Sequence, residues 1–375
     1  MTSPTHTFRP SAVVDHAVPR VLVLMTRNQR RGAESFACVL GEGLGQRGLS
    51  PRLLALASAE AEPRLPVHPL GPSPLSAATL WRLRREIRQA DVVVACGSTT
   101  LPATVVAGVA TGAPIIYQNI GDPMFWAGRG RRRIQVRAML GRMSAVAALS
   151  EESARVLRSH FGVPATQVRV IHNARSAALF RPGTAAEHAA ARHGLGLPAR
   201  GAVVALIGAL APEKRVDIAI DAVSRMPADV RLVVAGDGPL REELTARARS
   251  AAPGRVHFLG QLHDLGPVLH AADAVVLTSA SEGVPGALIE AGLSGLPAVA
   301  TDVGYVRDIV VPGVTGELVP VGDVEAVADG LARVLSARAQ LGPQARAHCV
   351  RNFDLDRVID DWTALIRAVL ARGGR

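Results

Sequence analysis

Ser281-Glu282-Gly283-Val284-Pro285-Gly286-Ala287-Leu288-Ile289-Glu290-Ala291 is the stretch of this chain that decides the fold. It directly follows the apolar segment 274–277, which predicts a buried strand, and its second half predicts a helix. A strand, a Gly-rich turn and a helix N-terminus together favour phosphate binding. The ionised carboxylates of Glu282 and Glu290 accept hydrogen bonds, which suits the hydroxyl groups of a sugar and a ribose. Phosphate and polyol together indicate a nucleotide sugar.

The overall composition narrows the class of protein. A length of 375 residues suits two domains. The net charge of +10 favours an anionic partner, with a merely soluble basic surface as the alternative. Aromatic residues make up only 3% of the chain, so we expect no nucleic-acid partner. Three isolated cysteines at 38, 96 and 349 support neither a disulfide framework nor a zinc site.

Short apolar runs alternate with helical stretches along the whole chain, which is typical of an α/β fold with parallel sheets. One such series runs from Val21 to Ile171, and a second begins at Ala202. We therefore expect two Rossmann-like, doubly wound domains that face each other across a cleft. The predicted divisions are a disordered leader (1–19), a first domain (20–183) with a crossover helix returning to it (about 355–375), and a second domain (184–354).

The turn after the strand predicted at 202–207 presents Lys214 and Arg215 side by side. Such cations could clamp a diphosphate leaving group and offset its developing charge. A solvated helix start is the alternative interpretation. The turn is not a P-loop, because the spacing Gly-x4-Gly-Lys-Ser/Thr is absent.

The motifs of the chain, taken in order, resemble glycosyltransferase family 4, the retaining GT-B enzymes. They are Arg31-Gly32-Ala33-Glu34, Asn173…Phe180-x-Pro182, Gly208…Lys214, Ala235-Gly236-Asp237-Gly238-Pro239, Gly260…His270-Ala271-Ala272-Asp273, Glu282-Gly283…Glu290-Ala291, Gly295-Leu296-Pro297 and Gly316. The resemblance covers nearly the whole chain and implies a GT-B fold, with the acceptor bound by the first domain and the nucleotide-sugar donor by the second.

The resemblance also implies roles for individual residues. Glu282 would bind the hydroxyls of the donor sugar, Glu290 would hold the ribose, and Lys214 would contact the diphosphate. Gly32 would let the first domain approach that diphosphate closely. The implied catalytic residues are Glu282, Lys214, Asp122 and Asn119. The implied donor-binding residues are Gly32, Gly208, Lys214, Arg215, Gly283, Val284, Pro285, Gly286, Glu290 and Gly304.

Two positions depart from the family pattern. The lysine usually has a partner arginine five residues earlier, where this chain has Ala209, so Arg215 would have to replace it from the other side. The histidine that many members carry after the strand at 115–117 is also absent. Asn119 or Asp122 would then have to contact the donor sugar or the acceptor.

The implied activity is that of a retaining, hexosyl-type glycosyltransferase (EC 2.4) of cell-envelope or polysaccharide biosynthesis. The leaving phosphate could itself act as the base, and we expect neither a cofactor nor a metal. A catalytically impaired protein that binds a nucleotide or an anionic surface is one alternative. A nucleotide-sugar epimerase is another.

Two Arg-rich segments, 80–88 and 129–142, lie in the half expected to bind the acceptor. They could attract anionic lipids or a phosphorylated acceptor, since a surface cation near an acidic leaflet contributes ~1 kcal/mol. Ordinary amphipathic helices with solvated arginines are the alternative. We expect a cytoplasmic protein, with peripheral contact at the inner face of the membrane as an open possibility.

Overall fold

The computed structural model describes residues 18–29, 32–60, 64–121, 124 and 130–373. Residues 1–17 of the predicted leader therefore lie outside the described residues. Two separate parallel sheets, one in each half of the chain, organise the described part. We call residues around the first sheet the first domain and residues around the second sheet the second domain. The predicted α/β architecture with two doubly wound sheets is confirmed.

The first domain contains a seven-stranded sheet of order β3-β2-β1-β4-β5-β6-β7. Its strands are β1 (Arg20–Arg27), β2 (Ser50–Ala57), β3 (His68–Gly71), β4 (Val92–Cys96), β5 (Ile115–Asn119), β6 (Ala145–Ala148) and β7 (Val168–Val170). Inner strands such as β4 are apolar without alternation because helices cover both faces of the sheet, and β4 and β5 are buried at every residue. These helices are α1 (Gly32–Gln46), α2 (Ala77–Gln89), α3 (Thr100–Ala107), α4 (Arg131–Leu140) and α5 (Glu151–Phe161).

The second domain contains a six-stranded sheet of order β10-β9-β8-β11-β12-β13. Its strands are β8 (Val203–Ile207), β9 (Arg231–Ala235), β10 (Val256–Gly260), β11 (Ala274–Leu277), β12 (Ala298–Thr301) and β13 (Gly316–Val319). Its helices are α6 (Ala185–Gly194), α7 (Val216–Ser224), α8 (Arg241–Ala251), α9 (Gly266–Ala271), α10 (Gly286–Leu293), α11 (Val324–Ser336) and α12 (Arg338–Phe353). Apolar clusters fill both faces of this sheet as well.

The last helix, α13 (Leu355–Gly373), packs on the first domain although it follows the second domain in the chain. Trp362 is fully buried and belongs to the same apolar cluster as Val23 and Leu40. The segment between the domains, residues 171–184, is hydrogen-bonded to the junction of α12 and α13. There the amide of Arg175 donates to the carbonyl of Phe353 (3.0 Å), and the amide of Leu355 donates to the carbonyl of Arg175 (3.0 Å).

The strand order decides where ligands can bind. In the second sheet the order reverses between β8 and β11, which are neighbours although far apart in sequence. At such a reversal the following loops turn to opposite faces and leave a crevice at the carboxyl ends of the strands. The loop after β8 carries Lys214 and the loop after β11 carries Glu282, so the fold places both predicted residues at this crevice.

Candidate functional site between the domains

The site lies in a cleft to which both domains contribute. A cavity of about 750 Å³ is lined by Glu152 and Arg155 of the first domain and by Glu282, Gly304 and Tyr305 of the second. The hydroxyl group of Tyr305 donates to the carbonyl of Gly121 across the cleft (3.4 Å). This volume is within the range of small-molecule sites.

Hydrogen bonds fix the loops after β8 and β11 to each other. The hydroxyl of Thr278 donates to the carbonyls of Lys214 (3.2 Å) and Arg215 (2.8 Å). The amide of Ala280 donates to the carbonyl of Glu213 (2.8 Å). Three hydrogen bonds therefore join the two loops into one corner, which carries both the lysine and the Gly-rich turn.

Lys214 and Glu282 form the central ion pair of this corner. The Lys214 Nζ atom lies 2.6 Å from the Glu282 Oε1 atom, and the side chains are 26% and 9% exposed. The hydroxyl of Ser279 donates to the same oxygen (2.6 Å), so the carboxylate is held from two sides. Lys214 is also the only lysine in a chain with 42 lysine and arginine residues. This position thus carries a compact, flexible ammonium group, whereas every other Lys or Arg position of the chain is an arginine.

Glu290 lies within α10, four residues after its first residue, Gly286, and is buried. The Arg175 Nε atom donates to its Oε1 atom at 2.6 Å. Arg175 could not be predicted from the sequence, because no local pattern links it to a glutamate 115 positions away. An acceptor-only carboxylate fixed in this way offers its remaining lone pairs to hydroxyl groups.

Gly304 shows how closely the backbone segments approach each other at the turn. Its φ angle is +53°, and an added Cβ would lie 2.0 Å from the carbonyl oxygen of Glu282. The amide of Tyr305 also donates to the carbonyl of Gly283 (3.2 Å). A side chain at 304 would push the Glu282 loop away, so this position requires glycine.

Other predicted donor-binding residues are placed differently. Arg215 forms an ion pair with Asp217, with 3.1 Å between its Nη2 atom and the Oδ2 atom. Its role as the replacement for the missing arginine therefore stays a prediction. Ala209 is exposed beside Gly208 at the end of β8. Gly32 begins α1 directly after the β1 loop. The remaining residues of that predicted set, Val284, Pro285 and Gly286, form the turn into α10.

The predicted residues of the first domain are less accessible. Asn119 is fully buried at the end of β5, where its Nδ2 atom donates to Ser153 (3.0 Å) and to the carbonyl of Gly121 (3.1 Å). In this conformation it supports the cleft wall rather than lining the cavity, and its ligand contact stays a prediction. Asp122 lies outside the described residues. Glu152 and Arg155 do line the cavity, but their sequence context predicted only the start of a helix and not a place in the site.

The Cys96 thiol is buried at the end of β4. Burial raises the pKa of this thiol to about 12, which favours its protonated form at neutral pH. No group of three or more His, Cys, Asp or Glu residues suited to a metal ion occurs in the part of the chain that the structure describes. Nor does any helix found there have the length and apolar character needed to cross a membrane.

Asp308 provides a test of the electrostatics beside the cleft. Its Oδ2 atom has no hydrogen-bond partner within the described ranges, and burial raises its pKa against the opposing effect of His172 and His348. A carboxyl group with a raised folded-state pKa favours folding when protonated, and this contribution is lost as pH rises through that pKa.

Asp308→Asn should therefore raise the free energy of unfolding by about 1 kcal/mol at pH 7.5 but not at pH 3.5. Thermal unfolding of both proteins at the two pH values measures this. An equal gain at both would contradict the assignment.

Solved structures show which fold this is. HepE of Anabaena, solved with UDP-glucose, aligns with a TM-score of 0.77 and 21% sequence identity over 93% of this chain and 99% of that one. Sucrose-phosphate synthase of Thermosynechococcus elongatus aligns with a TM-score of 0.75 and 20% identity over 94% of this chain and 100% of that one. At these identities the likeness concerns the fold, which is GT-B.

Two family models match this sequence, one in each half of the chain. The family model described as Glycosyltransferase Family 4 matches residues 30–177, and the model described as Glycosyl transferases group 1 matches residues 201–337. The chain belongs to glycosyltransferase family 4.

Curated relatives are similar over part of their length. The D-inositol 3-phosphate glycosyltransferase of Mycobacterium leprae (strain Br4923) is 37% identical over 211 residues, which are 52% of this chain and 46% of the relative. The protein of the same name from Mycobacterium tuberculosis (strain ATCC 25177 / H37Ra) is 34% identical over 210 residues, 52% of this chain and 42% of the relative. The match thus spans about half the length of these relatives.

Proposed function

We propose that this chain transfers a sugar from a nucleoside-diphosphate sugar to an acceptor hydroxyl, with retention of anomeric configuration. The observation that carries the proposal is the Lys214–Glu282 ion pair at the crevice between β8 and β11, in the loop that leads into α10, the helix that contains Glu290. It offers one cation and two carboxylates to a ligand that has a diphosphate and two sets of hydroxyls. HepE, which has the same fold, was solved with UDP-glucose, which supports this ligand class, and the similar mycobacterial proteins are named glycosyltransferases, which supports sugar transfer.

The geometry suggests how the second domain would act on the donor. Lys214 and the first amides of α10 would bind the diphosphate and stabilise the negative charge that develops as the glycosidic bond breaks. Glu282, held by Ser279 and Lys214, would orient the sugar through its hydroxyl groups. Closure of the cleft would exclude water, and the leaving phosphate would accept the proton of the acceptor hydroxyl. No cofactor is needed for these steps.

A thermal-shift screen against UDP, GDP, ADP and their hexose conjugates tests the proposal first. A ligand that binds only the folded protein stabilises it by about 2.7 kcal/mol at 100 times its Kd. We expect one nucleotide to raise the melting temperature, and its sugar conjugate to be turned over in the presence of an acceptor. NMR analysis of the anomeric configuration of the product then tests retention. Absence of binding by every nucleotide would overturn the proposal.

A catalytically impaired binding protein is the second candidate function. It is favoured by the exposed Ala209, where the chain lacks a cation, and by the engagement of Arg215 with Asp217. Calorimetric binding of a nucleoside diphosphate without transfer or hydrolysis of any sugar donor would support it. Conversion of the donor sugar without an acceptor would instead indicate an epimerase.

A basic surface of the first domain favours peripheral contact with the inner face of an anionic membrane. Helices α2 and α4 carry eight arginines and one glutamate, and that glutamate, Glu86, is paired with Arg52. α3 packs between α2 and α4. Trp81, with Arg85 stacked over its ring, is 60% exposed, and Ile134 is 70% exposed. Apolar side chains among cations suit an interface between lipid headgroups and acyl chains.

The double variant Arg85→Glu/Arg88→Glu should bind phosphatidylglycerol vesicles at least roughly thirtyfold more weakly than wild type. Each lost cation near an acidic surface removes about 1 kcal/mol, so two remove about 2 kcal/mol. Co-sedimentation measures the effect, and phosphatidylcholine vesicles should bind neither protein. Arg225→Glu/Arg249→Glu makes the same charge change on the second domain and should leave binding unaltered. Equal losses in both double variants would mean that net charge alone, and not this surface, attracts the protein.

A further inference from the structure

The segment between the domains contributes a charged side chain to the donor side of the cleft. Arg175 is anchored through its backbone to the junction of α12 and α13, on the Phe353 carbonyl and the Leu355 amide. Its Nη1 atom donates to the carbonyl of Ala174 (2.8 Å), and its Nε atom donates to Glu290 (2.6 Å). The guanidinium group is therefore held in one orientation by two hydrogen bonds and a fixed backbone.

The third nitrogen of this guanidinium group, Nη2, lies against the first residue of α10. A Cβ added to Gly286 would be 2.2 Å from it, so the two groups are in direct contact. Nη2 makes no hydrogen bond to any residue that the structure describes. A rigid cation with free donor capacity thus lies between the buried Glu290 and the turn into α10.

The pairing of the neighbouring cations indicates which group the Arg175 Nη2 atom would bind. Lys214 is paired with Glu282, and Arg215 with Asp217. A diphosphate at the start of α10 would bring negative charge next to Nη2, and guanidinium groups bind phosphate oxygens through two donors in one plane. We propose that Arg175 is a donor-binding residue that supplies the second cation for the diphosphate, beside Lys214, while it keeps Glu290 oriented. This inference rests on the proposed nucleotide-sugar donor.

Calorimetry with UDP, GDP and ADP, and with the matching nucleosides, tests this role. We expect Arg175→Met to weaken binding of the preferred nucleoside diphosphate at least tenfold more than it weakens binding of the matching nucleoside, whose only link to Arg175 is through Glu290. Arg175→Gln, which keeps a donor for Glu290 without the charge, should show the same selective loss and serves if the Met variant does not fold. Arg181→Met removes a cation of the same segment that is paired with Glu187, and it should leave both affinities unchanged.

The possible failures are distinguishable. If wild type binds none of the three diphosphates, the proposed function itself is wrong. If wild type binds one of them and the Arg175 variants bind it more tightly, the side chain competes with the diphosphate. If the variants bind it equally well, the side chain does not contact the diphosphate. Equal losses for nucleoside and diphosphate would mean that Arg175 acts through Glu290 alone. Each of these last three results overturns the inference and leaves the proposed function standing.

Discussion

Lys214→Ala is expected to lower kcat/KM for the sugar donor by the equivalent of about 2–4 kcal/mol. The ammonium group is held at the crevice by Glu282, where it would face the charge that appears on the leaving diphosphate. Interactions with developing charge in a water-excluded cleft act mainly in the transition state, so the loss should appear mostly in kcat. Steady-state kinetics with the donor found by thermal shift measures both constants.

The neighbouring cation provides the matched control. Arg215 adjoins Lys214 in the chain but is paired with Asp217, so Arg215→Ala should cost at least tenfold less than Lys214→Ala. Equal losses in the two variants would show that the general charge of the loop matters, and not the ion pair with Glu282. In that case Arg215 would be the replacement cation that the sequence predicted.

The single lysine allows a second measurement on the unmodified sequence. Acetylation removes the positive charge of an amine, and the amines of this sequence are the Lys214 side chain and the α-amino group. Nucleoside diphosphate should slow acetylation of Lys214 without slowing that of the α-amino group, as followed by mass spectrometry. Equal rates with and without nucleotide would place the diphosphate away from Lys214.

Local pattern was enough to predict most of the fold. Inner strands such as β4 and β11 are buried on both faces, so each appears in the sequence as an uninterrupted apolar run between turns. The strands β3 and β13, which are four residues long and lie at sheet edges, show no such run. An edge strand tolerates Pro69 and partial exposure, and it therefore lacks that apolar run.

The site could be predicted only where its residues are close in sequence. Glu282 and Glu290 share one strand–turn–helix unit, so their spacing already indicated a ligand. The ion pairs that orient these carboxylates connect residues 68 and 115 positions apart. Such pairs arise from strand order and from the return of the chain at Asp354, whose carboxylate accepts from the amide of Ala177 (2.9 Å). No local pattern encodes them, which is why Arg175 could not be predicted.

Glu290→Ala is expected to raise the KM for the donor and weaken binding of the nucleoside diphosphate by roughly 10- to 100-fold. Hydrogen bonds to a charged group contribute about 1.5–3 kcal/mol, and the buried carboxylate would be the acceptor for the ribose hydroxyls. Since this contact would exist equally in the ground state and the transition state, kcat should change much less than KM.

A dideoxyribose analogue of the same nucleotide separates a ribose contact from a loss of structure around α10. Wild type should bind the 2′,3′-dideoxy diphosphate about as weakly as Glu290→Ala binds the normal one. The variant should hardly distinguish the two nucleotides, because the missing carboxylate and the missing hydroxyls remove the same hydrogen bonds. If removing the hydroxyls weakens binding as much in the variant as in wild type, the ribose lies elsewhere. Glu290 would then act only as the counter-ion of Arg175, whose guanidinium group it holds against Gly286.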